Sequence, residues 1–258
     1  MTTQPTQSSK PAAWTANDLA ADPHGAADKA DRVQRMFAAI AGSYDLNNRL
    51  HSFFQDQRWR RKAVALVGIA PGDRVLDVAC GTGDLSEAFA RAGALVTGVD
   101  FTEPMLEIAR RKVARRSDLD RRPDYRQGDA MNLAFPDRSF DVVSIAFGLR
   151  NVAEPARALR EFHRVLRPGG RLVVLEFSEP RQPIVAALNR IYSGRVMPLT
   201  ATLLARDRSG AYRYLPRSVQ TFASAEALAA MVREAGFEVR RQKAMTFGVC
   251  TATVAIAR

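Results

Sequence analysis

In four places along the chain a run of strand length ends in residues able to do chemistry. "SIAFGLRNV" (144–152) breaks at Gly148 and then delivers Arg150 and Asn151, a guanidinium and an amide that together can bind and orient an oxygen anion. "VLDVACGTGD" (75–84) runs into Gly81-Thr82-Gly83, a turn whose glycines let the backbone approach a ligand closely. "TGVDF" (97–101) ends in Asp100, close to the spacing of about 20 residues at which a carboxylate meets ribose hydroxyls in nucleotide folds. "GDAMNL" (128–133) places Asp129 and Ala130 at the end of a further run, offering a carboxylate to an exocyclic amine and a backbone amide to a ring edge.

The glycine turn is not the dinucleotide fingerprint, because Gly83 is followed by Asp84, Leu85 and Ser86, and no Gly-Lys-Ser/Thr follows to make a phosphate loop. Asp77 and Asp84 on either side of it would repel a pyrophosphate. A ligand-free strand-to-helix turn is the plain alternative for the glycines alone. Taken with Asp100 and Asp129, they suit an adenosine whose far end is a sulphonium and not a phosphate.

These residues need strands that end side by side. From Asp73 onward, β-branched runs of strand length alternate with helical patterns such as "GDLSEAFARA" and "PARALREFHRVL", the latter stopped by "RPGG". The expected fold is α/β, Rossmann-like, with a mostly parallel seven-stranded sheet covered by helices on both faces. "FEVRRQKAM" and "TFGVCTATVAIAR" follow closely enough to make an antiparallel C-terminal edge pair. In such sheets ligands bind at the carboxyl ends of strands. Residues 1–28, rich in Pro, Ser, Thr and Gln, read as a disordered tail, 29–70 as an N-terminal helical cap, and 71–258 as the α/β domain with a helical insertion at 181–220.

Composition narrows the setting. Cys80 and Cys250 make no disulfide framework, and the scattered His24, His51 and His163 show no metal-ligand spacing, so no metal is expected. No run is long enough to span a bilayer, and the N-terminus lacks a signal peptide's apolar centre, so a cytoplasmic protein is expected. The net charge of +11 favours anionic partners or reflects a solvated, arginine-rich surface.

The run "VLDVACGTGD…GVD…GDA" resembles the S-adenosylmethionine-binding core of class I methyltransferases, with Ala79 where the first of three alternating glycines usually stands. "FAAIAGSYDLNNRLHSFFQDQRWRR", "AFGLRN", "RVLRPGGRLVVLEFSEP" and "YRYLPRSVQTF" resemble the ubiquinone/menaquinone C-methyltransferase family, from about Arg32 to Gly248. The resemblance implies methyl transfer to a ring carbon of a polyprenylated hydroquinone, demethylmenaquinol or a methoxylated benzoquinol precursor. It implies cofactor binding by Gly81, Thr82, Gly83, Asp100, Asp129 and Ala130, and catalysis by Arg150, Asn151 and Tyr44. A guanidinium beside the ring oxygen would depress a phenol's pKa from near ~10 by about 1–3 units, and the phenolate is the stronger carbon nucleophile. Asp45 with Tyr44 could organise a water and His51 could act as base, though a structural role is the plainer reading of each. Cys80 is then a loop residue.

The sequence departs from the family at Ala146, where a serine commonly touches the cofactor, and in its C-terminal segment. Expected partners are the quinol, the inner membrane surface touched peripherally, and a second copy as a homodimer. The apolar stretch 183–206 would seat the prenyl tail, with Arg190, Arg195, Arg206 and Arg208 toward anionic head groups. Nucleic acid is not expected, for lack of a base-amine motif or an interleaved basic-aromatic patch. A methyltransferase of another small molecule and a cofactor-binding scaffold without activity are the rivals. "FGLRN" argues against the first, and the intact Gly81, Gly83, Asp100 and Arg150 against the second.

Overall fold

Strands with an apolar residue at nearly every position must be covered on both sides, and the sheet obeys this. A computed structural model of the chain describes residues 12–20, 22–200 and 209–258. Strands β1 (Arg74–Val78), β2 (Leu95–Asp100), β3 (Asp124–Gln127), β4 (Phe140–Ala146), β5 (Leu166–Phe177), β6 (Phe237–Met245) and β7 (Cys250–Ala257) form one sheet in the order β3-β2-β1-β4-β5-β7-β6. The first five run parallel, and β7 is antiparallel to both β5 and β6. Period-2 alternation sorts the side chains: Val75, Val142 and Val173 face one core, Leu76, Val143 and Leu172 the other.

Two local departures have physical causes. "RPGG" does not stand outside β5. Pairing jumps from Phe140–Leu166 to Val142–Arg171, so the four residues bulge from the strand, with Gly169 at φ +75°. "YRYLPRSVQTF" is helical, and Pro216 is tolerated inside that helix.

Helices α2 (Lys29–Ile40), α3 (Tyr44–His51) and α4 (Gln55–Val67) precede the sheet. The packing does not respect a boundary near residue 70. Trp59, Ala63, Val64 and Val67 of α4 belong to the core that holds Val75. The helices α5 (Asp84–Arg91), α6 (Glu103–Ala114) and α7 (Pro155–Val165) cover the sheet between strands. The region after β5 contains α8 (Pro183–Ile191), a π turn at Tyr192–Val196 and α9 (Ala211–Thr221). Arg206 and Arg208 lie outside the described residues.

The expectation of a disordered tail over 1–28 fails for its described part. Residues 16–20 are the short helix α1, and Trp14 is fully buried, its ring stacked 4.6 Å from that of Tyr214. One large aromatic in a polar stretch carries no periodic signal, yet it buries enough surface to dock a segment. Residues 1–11 lie outside the described residues.

Candidate active site

Two cavities open where β1, β2 and β4 end. The smaller, of about 120 Å³, is bordered by Ala79, Gly81, Asp100, Asp129, Ala130 and Asn151, among others. Asp100 accepts the Gly81 N–H on Oδ2 and the Thr102 N–H on Oδ1, each at 2.8 Å, which ties the ends of β1 and β2 together. Burial pushes its carboxyl above the usual range, and the backbone bonds pull back. Asp129 accepts the Met131 N–H at 2.9 Å. Asp100 and Asp129 are the only charged side chains among the described residues bordering this cavity. Two carboxylates without a cation fit a cationic, phosphate-free nucleoside and would disfavour a phosphorylated one.

Ala79 holds φ +51°, a left-handed conformation that costs an L-residue about 1–2 kcal/mol. A Cβ built on Gly148 would lie 2.6 Å from the Ala79 Cβ. Positions 79 and 148 therefore admit one methyl between them, and Gly148 provides the room. Ala146 borders the same cavity.

Thr82 and Gly83, grouped with the cofactor residues on sequence, do not border it. The buried Thr82 hydroxyl donates to Asp45 Oδ1 at 2.5 Å, and Lys112 donates to the other oxygen at 2.8 Å. Asp45 thus fastens α3 to the glycine turn and to α6 and is not placed to organise a water. Gly83, at φ +86°, lies so close to Tyr125 that a Cβ would sit 2.2 Å from the phenol oxygen. Cys80 is buried, and burial pushes its thiol well above the usual value, as suits a loop residue and not a nucleophile.

The larger cavity, of about 240 Å³, is bordered by Tyr44, His51, Asp56, Arg60, Arg150 and Phe177 among others. Phe37, Tyr44 and Phe147 border both cavities and form the wall between them. Burial raises the Tyr44 phenol, and the charges of Arg60 and Arg150 pull it back. His51 is held at both ring nitrogens, Nδ1 against the Asn47 carbonyl and Nε2 against the Thr200 hydroxyl, each at 2.8 Å.

The turn at Leu149–Asn151 splits the Arg-Asn pair: Arg150 borders the larger cavity and Asn151 the smaller. Arg150 is 4% exposed and is not a bare cation. Its Nη1 donates to Glu176 Oε1 at 2.6 Å and to the Phe147 carbonyl at 2.7 Å, and its Nε lies 3.4 Å from the Ser218 hydroxyl. Asn151 donates to the Phe147 carbonyl at 3.2 Å and accepts the Tyr214 hydroxyl at 3.0 Å.

Sequence reasoning missed the partners. Glu176 is a single charge in "LVVLEF", and the register that sets Ala146 beside Leu175 carries it to Arg150. Asp56 and Arg60, on the charge-rich helix α4, form a buried ion pair at 2.8 Å. Their i, i+4 spacing was the available signal. Lys29, the first residue of α2, is buried and donates to the Val152 carbonyl at 2.6 Å, closing the end of the 149–151 turn.

Asp77 was read only as a charge near the turn. It is buried behind it and accepts the Ser86 and Ser144 hydroxyls at 2.6 and 2.7 Å. Burial pushes its carboxyl up to about 6, with the two serines pulling back. The native state then holds a proton that the unfolded state, with a value near 3.8, releases. Stability falls as pH rises from about 4 to about 6 and stays lower above that, a difference of ~2–3 kcal/mol. Asp77→Asn removes this loss, so its stability relative to wild type is higher at pH 8 than at pH 4. Urea unfolding at the two pH values checks it, and an equal difference at both would refute it.

The sequence pattern of the ubiE/COQ5 methyltransferase family matches residues 26–257. A demethylmenaquinone methyltransferase of Thermus thermophilus is 50% identical over 83% of this chain and 96% of its own length. A ubiquinone/menaquinone biosynthesis C-methyltransferase UbiE of Teredinibacter turnerae is 42% identical over 87% and 90%. Among solved structures, the [4+2]-cyclase SpnF superposes with a TM-score of 0.66 at 20% identity over 88% of this chain and 96% of its own. An S-adenosylmethionine-dependent methyltransferase from Aquifex aeolicus gives 0.57 at 18% over 77% and 89%. At those identities the structures speak for the fold alone, whereas the sequence match covers the glycine turn, both aspartates and the Arg-Asn turn. The chain belongs to the ubiE/COQ5 methyltransferase family.

Proposed function

We propose that this protein methylates a ring carbon of a polyprenylated hydroquinone, converting demethylmenaquinol to menaquinol, with a methoxylated polyprenyl benzoquinol as a second acceptor. The observation that carries the reading is the pair of cavities sharing one wall, the smaller bordered by carboxylates and the larger by aromatic rings and the two buried guanidiniums of Arg60 and Arg150. The cofactor is S-adenosylmethionine, which when bound supplies an electrophilic methyl on a sulphonium. Asp100 takes the ribose hydroxyls, Asp129 the exocyclic amine, the Ala130 amide the ring edge, and Gly81 gives the backbone its close approach. Phe147, at φ +57°, stands between the two ligands, and the Arg150 and Asn151 bonds to its carbonyl hold it there. Since Glu176 offsets its charge, Arg150 acts on the acceptor as a fixed hydrogen-bond donor. Tyr44, on the shared wall, orients the ring.

No helix among the described residues is long and apolar enough to cross a membrane. Peripheral contact is supported by the rim of the larger cavity. Phe53 and Phe54 are 70% and 58% exposed, both at positive φ, and Ile184 and Leu188 of α8 are 76% and 63% exposed. Phe53 touches the Tyr192 ring at 5.8 Å, which joins the two segments beside a cavity that Tyr192 itself borders. Arg58 and Arg195 on these segments form no ion pair with the described residues and suit anionic head groups. Phe53→Ser/Phe54→Ser is expected to lose flotation with anionic vesicles while methylating a short-chain quinol normally. Unchanged flotation would refute membrane contact through this rim. A dimer in sedimentation that the double variant dissociates would assign the face to a second copy.

Incubation of the protein with methyl-labelled S-adenosylmethionine and reduced demethylmenaquinone tests the activity. The expected product carries the label on the ring. Binding of S-adenosylhomocysteine without label transfer would overturn the quinol assignment.

A further inference from the structure

We propose that Arg60 is a catalytic residue of this site, the guanidinium that binds the acceptor's ionised ring oxygen. The inference rests on the quinol reading above and deepens it.

A hydroquinone of this class carries two oxygens on opposite sides of its ring, and two buried guanidiniums border the cavity proposed to hold it. They differ in what they have left to give. Arg150 contributes its Nη1 to two acceptors and its Nε to a third, and its guanidinium carbon lies 5.2 Å from the Phe177 ring centroid. Arg60 makes one hydrogen bond to the described residues, from Nη1 to Asp56 Oδ2 at 2.8 Å, which leaves Nε and Nη2 for a ligand. Both side chains of the Asp56–Arg60 pair are below a tenth exposed, so those donors work in a site with little water.

Its position is fixed from three sides. Arg60 is on α4, whose neighbouring Trp59, Ala63 and Val64 are buried in the core beside the sheet. Asp56, one turn earlier, is itself held by the Ser52 hydroxyl at 3.0 Å and the Gln57 amide at 2.9 Å. The Arg60 guanidinium carbon lies 5.3 Å from the centroid of the Phe147 ring, the wall between the cavities. Both guanidiniums thus reach the shared wall, Arg150 through the Phe147 carbonyl and Arg60 beside the ring, and Arg60 is the one with donors left for the oxygen next to the reacting carbon. The hydroxyl proton passes to solvent as the ring binds, and the oxygen keeps the electron pair that makes the adjacent carbon nucleophilic. Arg150 then takes the oxygen across the ring.

A nitro-substituted 1,4-naphthoquinol monoether, whose ionised form absorbs in the visible, reads this directly. Titrated with wild type in the presence of S-adenosylhomocysteine, the bound probe is expected to ionise at lower pH than free probe. Arg60→Gln is expected to return its pKa upward by about one pH unit or more and to lower turnover of the natural quinol by about 100-fold. Asp56→Asn/Arg60→Gln leaves no carboxylate unpaired and serves if the single variant does not fold. Arg60→Lys should restore part of the effect. An unchanged probe pKa in a folded Arg60 variant that still binds S-adenosylhomocysteine would overturn the role of Arg60 alone. Failure of wild type to bind the probe would overturn the quinol reading and this inference with it.

Discussion

Arg150→Ala is expected to lose at least about 100-fold in turnover and to unfold about 10 °C below wild type, and the two losses have different origins. Glu176 is 2% exposed, and its carboxylate accepts the Phe177 N–H at 2.9 Å as well as the Arg150 guanidinium. Removing the arginine strands a charge inside the sheet edge, which costs about 3–5 kcal/mol. It also releases the Phe147 carbonyl, whose φ of +57° needs outside support. The double variant Arg150→Met/Glu176→Gln separates the effects, since a neutral pair of similar volume repacks at little cost. Its unfolding midpoint should return to within a few degrees of wild type, while turnover stays about 100-fold down for lack of the donor. Thermal unfolding and initial rates at saturating cofactor make the measurement. Near-normal turnover in a stable double variant would reduce Arg150 to a structural strut.

How much of this was legible in the sequence depends on the kind of signal. The inner strands were legible because burial on both faces leaves a continuous apolar run, and the sheet edge that borders the cavities because the strand ends carry Gly, Asp or Arg. Asp100 was singled out by its offset from the glycine turn and Asp129 by the end of the next strand, and both border the smaller cavity. Pairings across the sheet were not legible. Whether Glu176 meets Arg150 depends on which strand neighbours β4, and β5 lies there because of a crossover that leaves no mark on either segment. The same holds for Thr82, whose position inside the glycine turn suggested a ligand and whose partner, Asp45, is 37 residues earlier. Trp14 failed for another reason. Its docking partner Tyr214 belongs to a helix about 200 residues later, and composition averages over windows far shorter than that. The pair Asp56–Arg60 shows the opposite risk, because an i, i+4 spacing on a helix rich in charge gives no sign that the face it occupies is buried.

Asp100→Ala is expected to weaken S-adenosylhomocysteine binding by about 100-fold or more, with the fold retained. Asp100 has two tasks, and both end together. Its oxygens accept the Gly81 and Thr102 N–H groups, each bond to a charged acceptor being worth about 1.5–3 kcal/mol. Asp100 also borders the smaller cavity, where we propose that it takes the ribose hydroxyls. Loss of the first task lets the Gly81 backbone move, and loss of the second removes the proposed acceptor for the ribose hydroxyls. Asp100→Asn should fall between wild type and Ala, because an amide keeps one acceptor oxygen but turns its NH₂ toward a backbone N–H. Cofactor-induced stabilisation supplies the readout. A ligand at 100 times its Kd stabilises by about 2.7 kcal/mol, and a 100-fold weaker site leaves less than ~1 kcal/mol of that. The order wild type, Asn, Ala in both affinity and thermal shift is the prediction. Equal affinities for wild type and Asp100→Ala would remove this carboxylate from the cofactor site, and with it the argument that the strand ends were arranged around a phosphate-free nucleoside.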